Sequence, residues 1–110
     1  MIPFDMNGQF DREKLSREID NLKRLVSDLE RIRDGIYPDA RTLRSSPALN
    51  DWRLTFRHTP ALSGSVRDHP RLPDADEIIT SEVHIIAPAL GLARTRSRWY
   101  RLEQRAAKRI

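Results

Sequence analysis

The stretch "DREKLSREIDNLKRLVSDLERIRDG", residues 11–35, constrains this chain more than any other part of it. Leu15, Ile19, Leu22, Leu25, Val26, Leu29 and Ile32 recur at spacings of three and four, so they line one side of an α-helix. Asp11 is placed to cap its start, because a carboxylate there can accept an unpaired N–H of the first turn. Phe10 and Leu15 have the spacing of a hydrophobic staple. Arg31 and Arg33 suit the negative end of the helix dipole, and Gly35 is a natural stop.

An apolar stripe must be covered by something. Counting Leu15 as heptad position a puts Leu22 and Leu29 at a and Leu25 and Ile32 at d. Glu18 then falls at d, and Ile19 and Val26 at e. The stripe is therefore broad, about three positions in seven, where a coiled-coil seam is narrower and longer. That breadth favours packing against the chain's own sheet. Dimerisation through the helix is the alternative.

After the helix the period changes. Residues 36–51 are broken by Pro38 and Pro47, with one helical turn in "DARTL" capped by Asp39. "WRLTFR" alternates Trp52, Leu54 and Phe56 with polar residues, the pattern of a half-buried strand. "ALSGSV" reads as a second strand, with Gly64 permitting a bulge or close packing. "RDHPRLPDADE" is a loop, "IITSEVHII" a third strand, and "LARTR" and "RWYRL" two short strands joined near Ser97. A chain of 110 residues is about one domain. The expected class is α+β: a long N-terminal helix packed on a small, twisted antiparallel sheet of four to five strands, with a barrel-like closure as one form of it. The expected single domain, 1–110, comprises a helix at 11–34, a β-rich part at 52–102 and a basic tail at 103–110.

Charge is distributed unevenly along this domain. The whole chain carries a formal +4, yet residues 94–110 hold Arg94, Arg96, Arg98, Arg101, Arg105, Lys108 and Arg109 against the single acid Glu103. In an extended chain Arg94, Arg96 and Arg98 share a face; in a helix Arg94, Arg98, Arg101, Arg105 and Lys108 do. Guanidinium forks suit phosphate oxygens, and Trp99 and Tyr100 among them could stack on a base. The leading expectation is a non-enzymatic accessory or regulatory protein, contacting nucleic acid or an acidic protein through this segment. The competing explanation is plain: Trp99 and Leu102 belong to the core and the arginines coat the outside. The second role considered is a protein-interaction or homodimerisation module built on Leu15, Ile19, Leu22, Leu25, Val26, Leu29 and Ile32.

Several short motifs stand out in the β-rich part. Leu62, Gly64, Val66, His69 and Pro70 form L-x-G-x-V-x-x-H-P; Thr80–Ser81 follow; Ala93 to Leu102 form A-R-T-x-S-R-x-Y-x-L. With Asp51–Trp52 upstream and a charged helix before them, these residues resemble a family of short bacterial proteins of unknown function. The resemblance spans roughly residues 11–102. Two departures are visible: Asp68 stands where many members carry Gly before His-Pro, and a basic tail follows the final Leu where Gly is common. The resemblance implies domain limits and no activity.

Other chemistries find little support. The chain has no cysteine, hence no disulfide and no thiolate metal site, and the expected compartment is the cytoplasm. His58, His69 and His84 lack the spacing of metal ligands, and His69 reads as a brace for the His-Pro turn. "DADE" at 74–77 lacks the Gly and the distant Glu of a calcium loop. No G-x-S-x-G elbow surrounds Ser63, Ser65 or Ser81, and four glycines make no phosphate cradle. No cofactor, metal or membrane partner is therefore expected. "MIPFDMNGQF" has no basic start followed by an apolar run, so no secretion signal is expected either.

Overall fold

The computed structural model describes residues 1–107, so Lys108 and Arg109 lie outside the described residues. The chain is α+β and divides into two compact units. One comprises Arg12–Arg57; the other joins Met1–Asp11 to the chain from His58 onward.

The first unit is led by α1, Arg12–Arg33, a single unbroken helix. It ends as the sequence suggests. Gly35 adopts φ 79°, the Gly35 N–H donates to the Ile32 carbonyl at 3.0 Å, and the Ile36 N–H donates to Arg31 at 2.7 Å. These are the two bonds of a Schellman stop, and the left-handed residue between them favours glycine. A short helix α2, Ala40–Ser45, follows, capped by Asp39, whose carboxylate accepts from the Thr42 N–H at 2.8 Å. That bond holds the Asp39 carboxyl below its ordinary value.

Trp52–Arg57 is not a strand. Its side chains stand in solvent, Phe56 fully so. Alternation marks a surface that suits a sheet, but a strand exists only where a neighbour accepts its ladder of hydrogen bonds. The Trp52–Arg57 backbone is given no such neighbour in the hydrogen-bonded ladders of the described residues.

The second unit holds two sheets. A four-stranded sheet runs β1 (Ile2–Pro3), β4 (Val83–Ala87), β5 (Leu92–Thr95), β6 (Trp99–Arg101) in spatial order. A hairpin of β2 (Ser63–Val66) and β3 (Ala75–Ile79) forms the other. The larger sheet is mixed rather than antiparallel, because β1 pairs parallel with β4, Ile2 opposite Ile85. It is open, not a barrel: β1 and β6 are its edges. β1 has only two residues, too few for any periodic signal. The single strand expected over 78–86 is two strands in different sheets. Thr80 separates them: its Oγ1 accepts from the Leu62 N–H at 2.9 Å and donates to the Ser81 carbonyl at 2.8 Å.

A bulge between Val83 and Ile85 sets the faces of the main sheet. Val83 opposes Thr95, while Ile85 opposes Arg94. The extra residue shifts side-chain parity, so Val83 and Ile86 both share a face with Ala93, Thr95 and Tyr100. Ile2, Ala87, Leu92, Arg94, Trp99 and Arg101 share the other. Each face buries residues: Val83, Ala93 and Thr95 on one, Ile2 and Ala87 on the other. A second register shift lies between Gly64 and Val66 in the hairpin, where Gly64 was expected to allow one.

Candidate interaction surfaces

Two surfaces were expected, and each is built differently from its expectation. The C-terminal cations follow neither an extended nor a helical period. β5 ends at Thr95, and Arg96 and Ser97 form the two-residue loop of the β5–β6 hairpin. Arg94, Arg96 and Arg98 therefore do not share a strand face. Hairpins this short usually take turns that need positive φ, yet neither loop residue has it. Thr95 supplies the substitute. It is 1% exposed, and its Oγ1 accepts from the Ser97 N–H at 3.2 Å and the Arg98 N–H at 3.3 Å while donating to the Arg98 carbonyl at 3.2 Å. The Thr95 N–H also donates to that carbonyl at 2.9 Å.

The arginines then meet different fates. Arg101 is neutralised within the molecule, 3.0 Å from the Glu103 carboxylate and 3.4 Å from that of Asp68. Arg98 is half-buried, and its Nε finds no acceptor among the described residues. Arg94 lies 6.0 Å from the ring centre of Trp99, which is 56% exposed and so not the core residue of the competing explanation. Arg96 projects from the hairpin loop and Arg105 from the tail, both exposed. Tyr100 is half-buried on the opposite face, its ring 6.2 Å from that of His69.

The motif residues gather in one corner of this unit. His69 Nδ1 accepts from the N–H groups of Arg71 and Leu72, both at 3.0 Å, so the imidazole braces the turn after Pro70. Its pKa is lowered, first by desolvation and then by the nearby charges of Arg98 and Arg71. Ser81 and Ser97 meet hydroxyl to hydroxyl at 3.0 Å, tying the Thr80–Ser81 step to the hairpin loop. Asp68 has φ 60°, which accounts for a position where glycine fits well. Its N–H donates to Asp74 Oδ1 at 3.1 Å, giving the acidic "DADE" run a turn-forming part. Among the described residues no cluster of acids or histidines could hold a metal ion. Sequence reasoning missed Thr95 and Asp68 as organisers. The signal for Thr95 was a Thr two and three residues before the N–H groups it binds, a local hydroxyl turn pattern.

The second surface is the apolar stripe of α1. No residue of the helix is buried. Ile19, Leu22, Leu25, Val26, Leu29 and Ile32 are between 37% and 56% exposed. A shallow hollow runs along this side, lined by Ile19, Leu22, Lys23, Val26, Ser27 and Glu30. Leu15, at the start of the stripe, is half-buried.

Residues 15–108 match a family of unknown function, DUF6634. The chain belongs to that family. The matched span takes in most of α1, the β2–β3 hairpin, strands β4 to β6 of the larger sheet and most of the basic tail, but not β1; it includes the apolar stripe of α1 and Arg94 to Lys108. No curated protein and no solved structure matches the chain. Among the described residues no helix is long and apolar enough to cross a membrane.

Proposed function

We infer that this DUF6634 chain is a non-enzymatic interaction module, acting in the cytoplasm, that docks a partner protein on the apolar side of α1. The observation supporting it is the set of six large aliphatic side chains left exposed on one side of a helix with no buried residue. A solvated helix is ordinarily polar all round, and contiguous exposed apolar patches mark interaction sites. Among the described residues every buried side chain lies on β1, β2, β4 or β5. The test is Leu22→Lys with Leu29→Lys, in a Trp52→Phe background that leaves Trp99 as the only indole. The urea midpoint followed by Trp99 should stay unchanged. Loss of cooperative unfolding at Trp99 would mean that the stripe is the sheet's own core, and would end this reading.

A second reading has its own support. Arg94 against the exposed Trp99, with Arg96 and Arg105 also exposed, offers three cations and a stacking ring to a nucleic acid or an acidic protein. Arg101 contributes less, since Asp68 and Glu103 already compete for it. Three phosphate contacts would make log affinity for a duplex fall with log salt at a slope of about −2.7. Binding indifferent to salt would exclude it.

A further inference from the structure

We propose that the occupant of the α1 stripe is a second copy of this chain, its own α1 parallel and in register. The proposal rests on the docking reading above. Because α1 is one continuous helix, Leu15, Ile19, Leu22, Val26 and Leu29 form a seam with alternating steps of four and three. Placing Ile19 and Val26 at position a puts Leu15, Leu22 and Leu29 all at d. This register keeps charge out of the seam from residue 15 to residue 29, whereas starting the heptad at Leu15 drives Glu18 into it. β-branched residues at a with leucine at d favour parallel two-stranded pairing. Arg12 and Arg33 occupy the next a positions and close the seam at both ends, and Leu25 and Ile32 flank it at g.

Charge complementarity selects the direction. Glu18 falls at g and Lys23 at the following e, the two positions that meet across a parallel dimer. Two-fold symmetry makes that attraction twice. An antiparallel pairing of the same layers would set Lys23 beside its own mate. The hollow lined by Ile19, Leu22 and Val26, edged by Lys23 and Glu30, is where a partner's side chain would seat.

The experiment uses the full chain. Sedimentation equilibrium should give a concentration-dependent mass rising to twice 12.8 kDa. Leu15→Cys supplies the only thiol, since the chain has no cysteine, and mild oxidation should yield a disulfide-linked dimer. In the antiparallel arrangement those thiols would stand about 27 Å apart along the helix axis. Lys23→Glu should weaken association about tenfold, and adding Glu18→Lys should restore it. A monomer at every concentration, a mass above two copies, or a Leu15→Cys dimer that forms no disulfide would each overturn the proposal. If Trp99 unfolding is unaffected by the paired lysine substitutions but the chain is monomeric, the partner is a different protein and the docking reading stands. If that unfolding is lost, the docking reading falls first.

Discussion

Replacing Thr95 with valine should destabilise the β-rich unit by about 2 kcal/mol, more than replacing it with serine. Thr95 is 1% exposed, so hydrophobic burial alone predicts the opposite order. Valine keeps the shape and the β-branching of threonine but removes Oγ1, on which the Ser97 and Arg98 N–H groups depend. Stranding a buried donor costs about 1–3 kcal/mol. Ser97 is exposed and its N–H can turn to water, whereas Arg98 is half-buried, so the cost falls chiefly on Arg98. The bonds are long, at 3.2 and 3.3 Å, which places the sum near the middle of that range. Serine retains the oxygen and loses one methyl, about 1 kcal/mol. With a slope of about 2 kcal/mol per molar urea, the Thr95→Val midpoint should move by about 1 M with the slope unchanged. If Thr95→Val is as stable as Thr95→Ser, the hydroxyl does not hold the hairpin loop, and the account of how Arg96 and Arg98 are placed is wrong.

Two further outcomes follow from the corner around His69. Its folded pKa lies below the ordinary 6.5, so the folded state takes up a proton less readily than the unfolded chain. The stability carried by its neutral ring is fully present above 6.5 and is lost as pH falls through the lower folded value. The urea midpoint should therefore drop on acidification through that window, and His69→Asn should flatten the response; an unchanged slope in His69→Asn would sink the brace. At Asp68, φ 60° predicts that Gly is tolerated within about 1 kcal/mol while Val costs about 2 kcal/mol, because a β-branched residue resists the left-handed region. Asp68→Gly also releases Arg101 from one of its two carboxylates, so polyanion retention on a column should strengthen. Equal stability of the Gly and Val variants in urea would show that backbone conformation does not govern this position.

What could be read from sequence, and what could not, divides along the range of the interactions. α1 with its Gly35 stop, the Asp39 cap, the Gly64 bulge and the His69 brace were legible because each is settled within a few residues of itself. The failures are all failures of pairing. "WRLTFR" has the alternation of a strand and no ladder neighbour; Ile2–Pro3 has no alternation and is a strand because β4 accepts it. Thr80 splits one apparent strand into two by bonding to Leu62, eighteen residues away. The same distinction governs the candidate sites. Counting charges grouped seven cations by their nearness in sequence, but tertiary partners sorted them: Asp68 claims Arg101 from thirty-three positions away, and Trp99 holds Arg94 across a strand pair. The apolar stripe of α1 ran the other way. Its pattern was legible from its own spacing, and its large aliphatic side chains stand partly exposed. A periodicity states that a face needs a neighbour; only the residues at the edges of that face, here Glu18 and Lys23, carry information about which neighbour it is.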